Sequence, residues 1–86
     1  MKNIIIVFKS KTEVFEFCDL MNARGATTVT VGTPREARIG CGISAKTDAR
    51  NLSLAISVLN ENNFGGFFGI YSVVSVGGRT SKTKIM

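Results

Sequence analysis

Apolar residues fall in short blocks whose period changes along the chain. Ile4-Ile5-Ile6-Val7-Phe8 is β-branched and aromatic with lysines at both ends, and predicts a first strand from Lys2 to Lys9. Val14, Phe17, Cys18 and Met21 then recur at helical spacing, which predicts a helix from Ser10 to about Arg24. Ser10 as N-cap and Glu13 three residues on read as a capping box, and Gly25 as the glycine just past the end. Thr27 to Val31 is a second β-branched strand, broken by Gly32 and Pro34. A loop runs through Gly40, and Gly42-Ile43-Ser44-Ala45-Lys46 forms a short third strand. Thr47 or Asp48 caps a second helix with Leu52, Ala55, Ile56 and Leu59 on one face. Asn60 to Gly66 turns the chain into a long fourth strand from Phe67 to Val76. Gly77-Gly78 then releases the basic segment Arg79-Thr80-Ser81-Lys82-Thr83-Lys84.

The order β-α-β-β-α-β with right-handed crossovers predicts an α+β, ferredoxin-like sandwich. Its antiparallel sheet would have spatial order 4-1-3-2, with two helices on one face. Residues 1–78 would form one domain and residues 79–86 a basic, flexible tail. The topology sets the loop from Thr33 to Gly40 at the edge where the first strand ends and the first helix begins. Strands one and four are apolar on both parities, so the face away from the helices carries Ile5, Val7, Tyr71 and Val73. A two-layer fold buries only one face, and the other is expected to pair with a second copy as a homodimer.

Composition narrows the chemistry. The 86 residues contain no histidine, no tryptophan and two cysteines. Without histidine there is no Ser-His or Cys-His nucleophile pair and no Cys/His zinc site. Two thiols do not make a four-thiolate site or a disulfide framework, so neither a metal nor a cofactor is expected. No apolar run approaches the roughly 20 residues of a membrane span. The first apolar block is too short for a signal peptide and no small-residue cleavage site follows, so a cytoplasmic protein with no membrane partner is expected. A net charge of +5 favours anionic partners in general. The sheet positions expected to face outward in strands one and three offer no aromatic platform for bases, which argues against specific nucleic-acid recognition.

The one concentrated chemical signal is Thr33-Pro34-Arg35-Glu36-Ala37-Arg38-Ile39-Gly40-Cys41-Gly42. Gly40 and Gly42 leave the backbone around the Cys41 sulfur uncrowded. Arg35 and Arg38, with Lys9, Ser10 and Lys11 at the start of the first helix, would favour a thiolate there. The competing reading makes Cys41 a small buried hydrophobe, sharing strand parity with Ile43 and Ala45. The glycines, the arginines and the edge position favour the reactive reading. Cys18, on the apolar stripe of the first helix, reads as inert packing.

These residues give the chain a family resemblance. The order strand, helix, Pro34-Arg35 and then Cys41-Gly42-Ile43-Ser44-Ala45-Lys46, with Phe8 and Ser10 early and Gly69-Ile70-Tyr71 late, resembles the selenium/sulfur carrier protein-like family. The likeness covers roughly residues 3 to 76. It implies a small cytoplasmic carrier holding sulfur or selenium on Cys41 as a persulfide or selenopersulfide, with a cysteine desulfurase or selenium-handling protein as partner. Pro34 and Arg35 match the family's Pro-Arg step, whereas Gly40 stands where a serine is more usual. The carrier reading requires no turnover site of its own. The alternative is a non-catalytic regulatory or interaction module that binds a small ligand or dimerises through its open sheet face.

Overall fold

The computed structural model describes residues 2–37 and 42–86. Three of the candidate site residues, Arg38, Gly40 and Cys41, lie outside the described residues. The chain forms β1 (Lys2–Phe8), α1 (Lys11–Ala23), β2 (Thr28–Gly32), a 3-10 turn (Arg35–Ala37), β3 (Ile43–Asp48), a second 3-10 turn (Ala49–Asn51), α2 (Leu52–Glu61), β4 (Phe67–Val76) and β5 (Arg79–Lys84).

The strands make one five-stranded sheet in the order β2-β3-β1-β4-β5, and every neighbouring pair is antiparallel. This overturns the expected four-stranded ferredoxin-like sandwich of order 4-1-3-2. The cause lies at Gly77 and Gly78, whose φ angles are +57° and +82°. Two consecutive positive-φ residues make a tight two-residue hairpin loop, which L side chains resist and glycine permits. The chain therefore folds back with Val76 opposite Arg79 and Tyr71 opposite Lys84. Pairing continues past β5, because the Ile85 amide donates to the Ile70 carbonyl at 2.8 Å. The segment read as a basic tail is thus the edge strand, and its lysines suit a sheet edge that must not pair further.

Both helices pack on one face of the sheet. Ile4, Ile6 and Phe8 of β1, Ala45 of β3 and Ile70 of β4 meet Val14, Phe17, Cys18 and Met21 of α1 and Ala55 and Val58 of α2. Four rings fill the end of this core, with Phe8 centred 5.4 Å from Phe17, 5.2 Å from Phe64 and 6.0 Å from Phe67. Tilted and edge-on rings at such spacings add to what area burial alone contributes.

Helix ends differ from the capping expectation. Ser10 precedes α1 in extended geometry but its side chain makes no capping bond. Glu13 turns away and accepts from the Gly66 amide at 3.2 Å, while the Lys9 amide donates to the Gly66 carbonyl at 2.7 Å. A Cβ at Gly66 would overlap the Glu13 carboxylate, which would have to swing aside and give up its bond to the Gly66 amide. Asp48 does cap, accepting from the Arg50 amide at 2.9 Å to start the 3-10 turn that leads into α2.

The second face is closed from within the chain. Ile5, Val7, Tyr71 and Ala37 form a buried cluster, flanked by Val31, Phe68 and Val73. The turn after β2 lays Ala37 onto the sheet, and the Ala37 amide donates to the Pro34 carbonyl at 3.0 Å. Tyr71 is 4% exposed and Val7 fully buried. Of the four residues expected on an open face, Ile5, Val7 and Tyr71 are thus buried within the chain and Val73 is partly buried. Among the described residues no helix is long and apolar enough to cross a membrane.

Candidate functional site

The site is built on the connection between β2 and β3. Gly32 pairs with Ile43, and Ile6 of β1 pairs with Ala45. Extending that register by two residues sets Phe8 level with Ile43. The connection therefore emerges at the sheet edge where β1 ends and α1 begins. Its neck is tied by the Thr33 amide, which donates to the Gly42 carbonyl at 3.1 Å. In sequence, Pro34 to Cys41 lie between these two residues, and of them the structure describes Pro34 to Ala37.

Local chemistry explains why the neck holds. Ser44 sits opposite Val31 on the face away from the helices and is fully buried. A buried hydroxyl among apolar side chains needs a partner. Ser44 finds it in the Thr33 hydroxyl, 2.8 Å away. Pro34 and Ala37 are buried while Arg35 and Glu36 between them are exposed. The turn thus lays Ala37 on the sheet, buries Pro34 and leaves its charges exposed. The Tyr71 hydroxyl reaches the Glu36 carbonyl at 3.5 Å, the outer limit of a hydrogen bond.

Of the candidate residues, Arg35, Gly42, Lys9, Ser10 and Lys11 lie on segments the fold brings to this one edge, and Lys11 is the first residue of α1. Arg35 rides on the covering turn, Gly42 closes the neck, and Lys9 is held through its amide at Gly66. Three further residues shape the connection though they were not among the candidate site residues: Thr33, Ser44 and Tyr71. Ser44 could have been found as a hydroxyl inside an apolar strand, a position that demands a partner. Tyr71 could have been found as the polar-tipped ring on an otherwise aliphatic face.

Cys18 is a different kind of thiol. It is 7% exposed within the helix-side core. Burial pushes its pKa up, and the neighbouring Asp19 carboxylate pushes it the same way. It is held as a neutral thiol, in keeping with its reading as packing. Among the described residues no cluster of histidine, cysteine, aspartate or glutamate has the makings of a metal site.

The fold defines a small α+β domain, with Cys41 in the sequence between β2 and β3. The chain belongs to the family described as "Putative Se/S carrier protein-like", which matches residues 3–71. That match spans β1 through the start of β4 and includes the whole β2–β3 connection. No curated protein and no solved structure matches the chain.

Proposed function

We propose that the protein carries sulfur or selenium as a persulfide or selenopersulfide on Cys41, receiving it from a partner such as a cysteine desulfurase or a selenium-handling protein. The observation that carries the reading is the state of the other cysteine. Cys18 is buried and kept protonated, so it is a poor nucleophile, and the family's chemistry falls to the thiol on the closed connection. The step needs no cofactor. The Cys41 thiolate attacks the terminal sulfur of a donor persulfide, a new S–S bond forms to Cys41, the donor's S–S bond breaks, and the donor leaves as a thiolate. Electrons balance within the exchange, and no external oxidant enters. Such a thiolate belongs in a reducing compartment, which fits the cytoplasm. Arg35 and Arg38 lie on the same connection, where their charge favours the attacking thiolate.

The test is direct. Reduced protein is incubated with a cysteine desulfurase and cysteine, and added sulfur is located by mass spectrometry of the fragments. One sulfur atom is expected on the Cys41 fragment, retained in Cys18→Ser and lost in Cys41→Ser. Native Cys41 should also alkylate faster than Cys18, and Arg35→Ala with Arg38→Ala should slow it. Sulfur found on Cys18, or none on either thiol, ends the carrier reading.

A further inference from the structure

Register places a straight row of residues across the whole sheet on the face away from the helices: Val29, Lys46, Ile5, Tyr71 and Lys84. Lys82 lies in the next row, opposite Val73. Strand spacing puts Lys46 and Lys84 about 14 Å apart, on either side of the buried Ile5 and Tyr71. The turn covering the centre presents Arg35 outward. Lys84 extends its ammonium over the Phe68 ring, 4.8 Å from the centroid, which keeps that charge on the face.

Few carboxylates oppose these cations. Glu36 is exposed on the same turn, and Asp48 at the far end of β3 is engaged with the Arg50 amide and guanidinium. Four of the six acidic residues, Glu13, Glu16, Asp19 and Glu61, belong instead to the two helices. The sheet face is basic, and most acidic side chains lie on the helices, where Lys11 and the Arg24 partner of Glu61 offset part of their charge. The family match ends at Tyr71, so β5 and its lysines lie outside the matched residues.

We propose that this sheet face is a docking surface for an acidic surface of a partner protein. Partly buried Val31, Phe68 and Val73 surround the capped centre, and Lys46, Lys82, Lys84 and Arg35 form the rim. That is the layout of a protein interface, apolar within and charged at its edge. Single-stranded nucleic acid is the less favoured occupant, because Tyr71 lies beneath the turn and cannot stack on a base. A second copy is also less favoured, because twofold pairing would set these lysines against their own images. The surface does not depend on Cys41.

The probe is a fluorescein-labelled oligoglutamate peptide, read by anisotropy at low salt. Two triple variants lower the net charge of +5 by the same three units. Lys46→Gln with Lys82→Gln and Lys84→Gln neutralises the face. Lys2→Gln with Lys11→Gln and Arg79→Gln neutralises exposed positions elsewhere, Arg79 being on β5 but directed to the opposite side. The first set should weaken binding about tenfold and the second much less, and Cys41→Ser should bind as the parent does. Equal losses in the two sets would overturn the proposal by reducing the effect to net charge. Quenching of Tyr71 fluorescence by an oligothymidine, lost in the first set, would assign the face to nucleic acid. Sedimentation as a dimer that the first set dissociates would assign it to a second copy. Loss of peptide binding in Cys41→Ser would move the contact to the connection.

Discussion

The two faces of the sheet are covered in opposite ways. On one, two helices deliver Phe17, Met21, Val14 and Val58 onto Ile4, Ile6 and Phe8, and four phenylalanine rings interlock. On the other, a three-residue turn contributes Ala37 to cover Ile5, Val7 and Tyr71. Large interdigitating side chains carry folding energy, because each forfeits many contacts when removed. A small cover contributes little area, and the sheet beneath it gains dryness more than cohesion. The difference separates two tasks: the helix side holds the fold, and the turn side anchors the connection that bears Cys41. The weak side can also open at low cost, because local opening follows the number of buried contacts at stake.

The largest effect should come from the helix side. Phe8→Ala empties the centre of the ring cluster and is expected to cost about 3–5 kcal/mol, a large share of the roughly 5–15 kcal/mol that holds a domain together. Urea unfolding followed by circular dichroism measures it. On the other face, Ala37→Asp places a charge against Ile5, Val7 and Tyr71. Because the turn can lift, the expected cost is only about 1–3 kcal/mol. Helical signal should be retained while Tyr71, the single tyrosine, becomes accessible to acrylamide quenching. If Ala37→Asp unfolded the chain as completely as Phe8→Ala, the two faces would be one cooperative unit and the division of labour would fail.

This contrast also explains what could be read from the residues alone. Val14, Phe17, Cys18 and Met21 announce α1 because a long amphipathic face repeats its signal over several turns. Phe67 to Val76 announces β4 by the same redundancy. The turn that closes the second face has no period to detect. Among its described residues Pro34 and Ala37 are buried, and Ala37 packs with Ile5 and Val7 of β1 and Tyr71 of β4, distant in sequence. The apolar parity of Ile5 and Val7 was visible, but the packing of Ala37 against them was not. Gly77-Gly78 was equally visible, and was read as a release instead of a hairpin because charge in 79–84 outweighed its alternating threonines and lysines. That one misreading hides β5 and overturns the sheet. At the site, Arg35 and the Gly42 neck follow from topology, whereas the Thr33–Ser44 hydroxyl pair depends on a register that sequence spacing does not reveal.

The smallest effect sharpens the comparison at the level of protons. Cys18 belongs to the helix side, and burial followed by the Asp19 charge raises its pKa in the folded chain. Over the range between the unfolded and folded values, the folded state keeps a proton that the unfolded chain has released. The unfolded state then binds fewer protons, so stability falls as pH rises. The contribution is fully present below about 8.5, the free thiol value, and is lost as pH climbs through the raised one. Cys18→Ala removes this loss while costing some packing at neutral pH. Urea unfolding of both proteins from neutral pH to about pH 10 isolates the term, since the two chains differ only at residue 18. The parent's advantage over Cys18→Ala should shrink as pH rises. Parallel curves would mean that the thiol titrates alike in both states, and the helix side would then be wetter at Cys18 than its 7% exposure indicates.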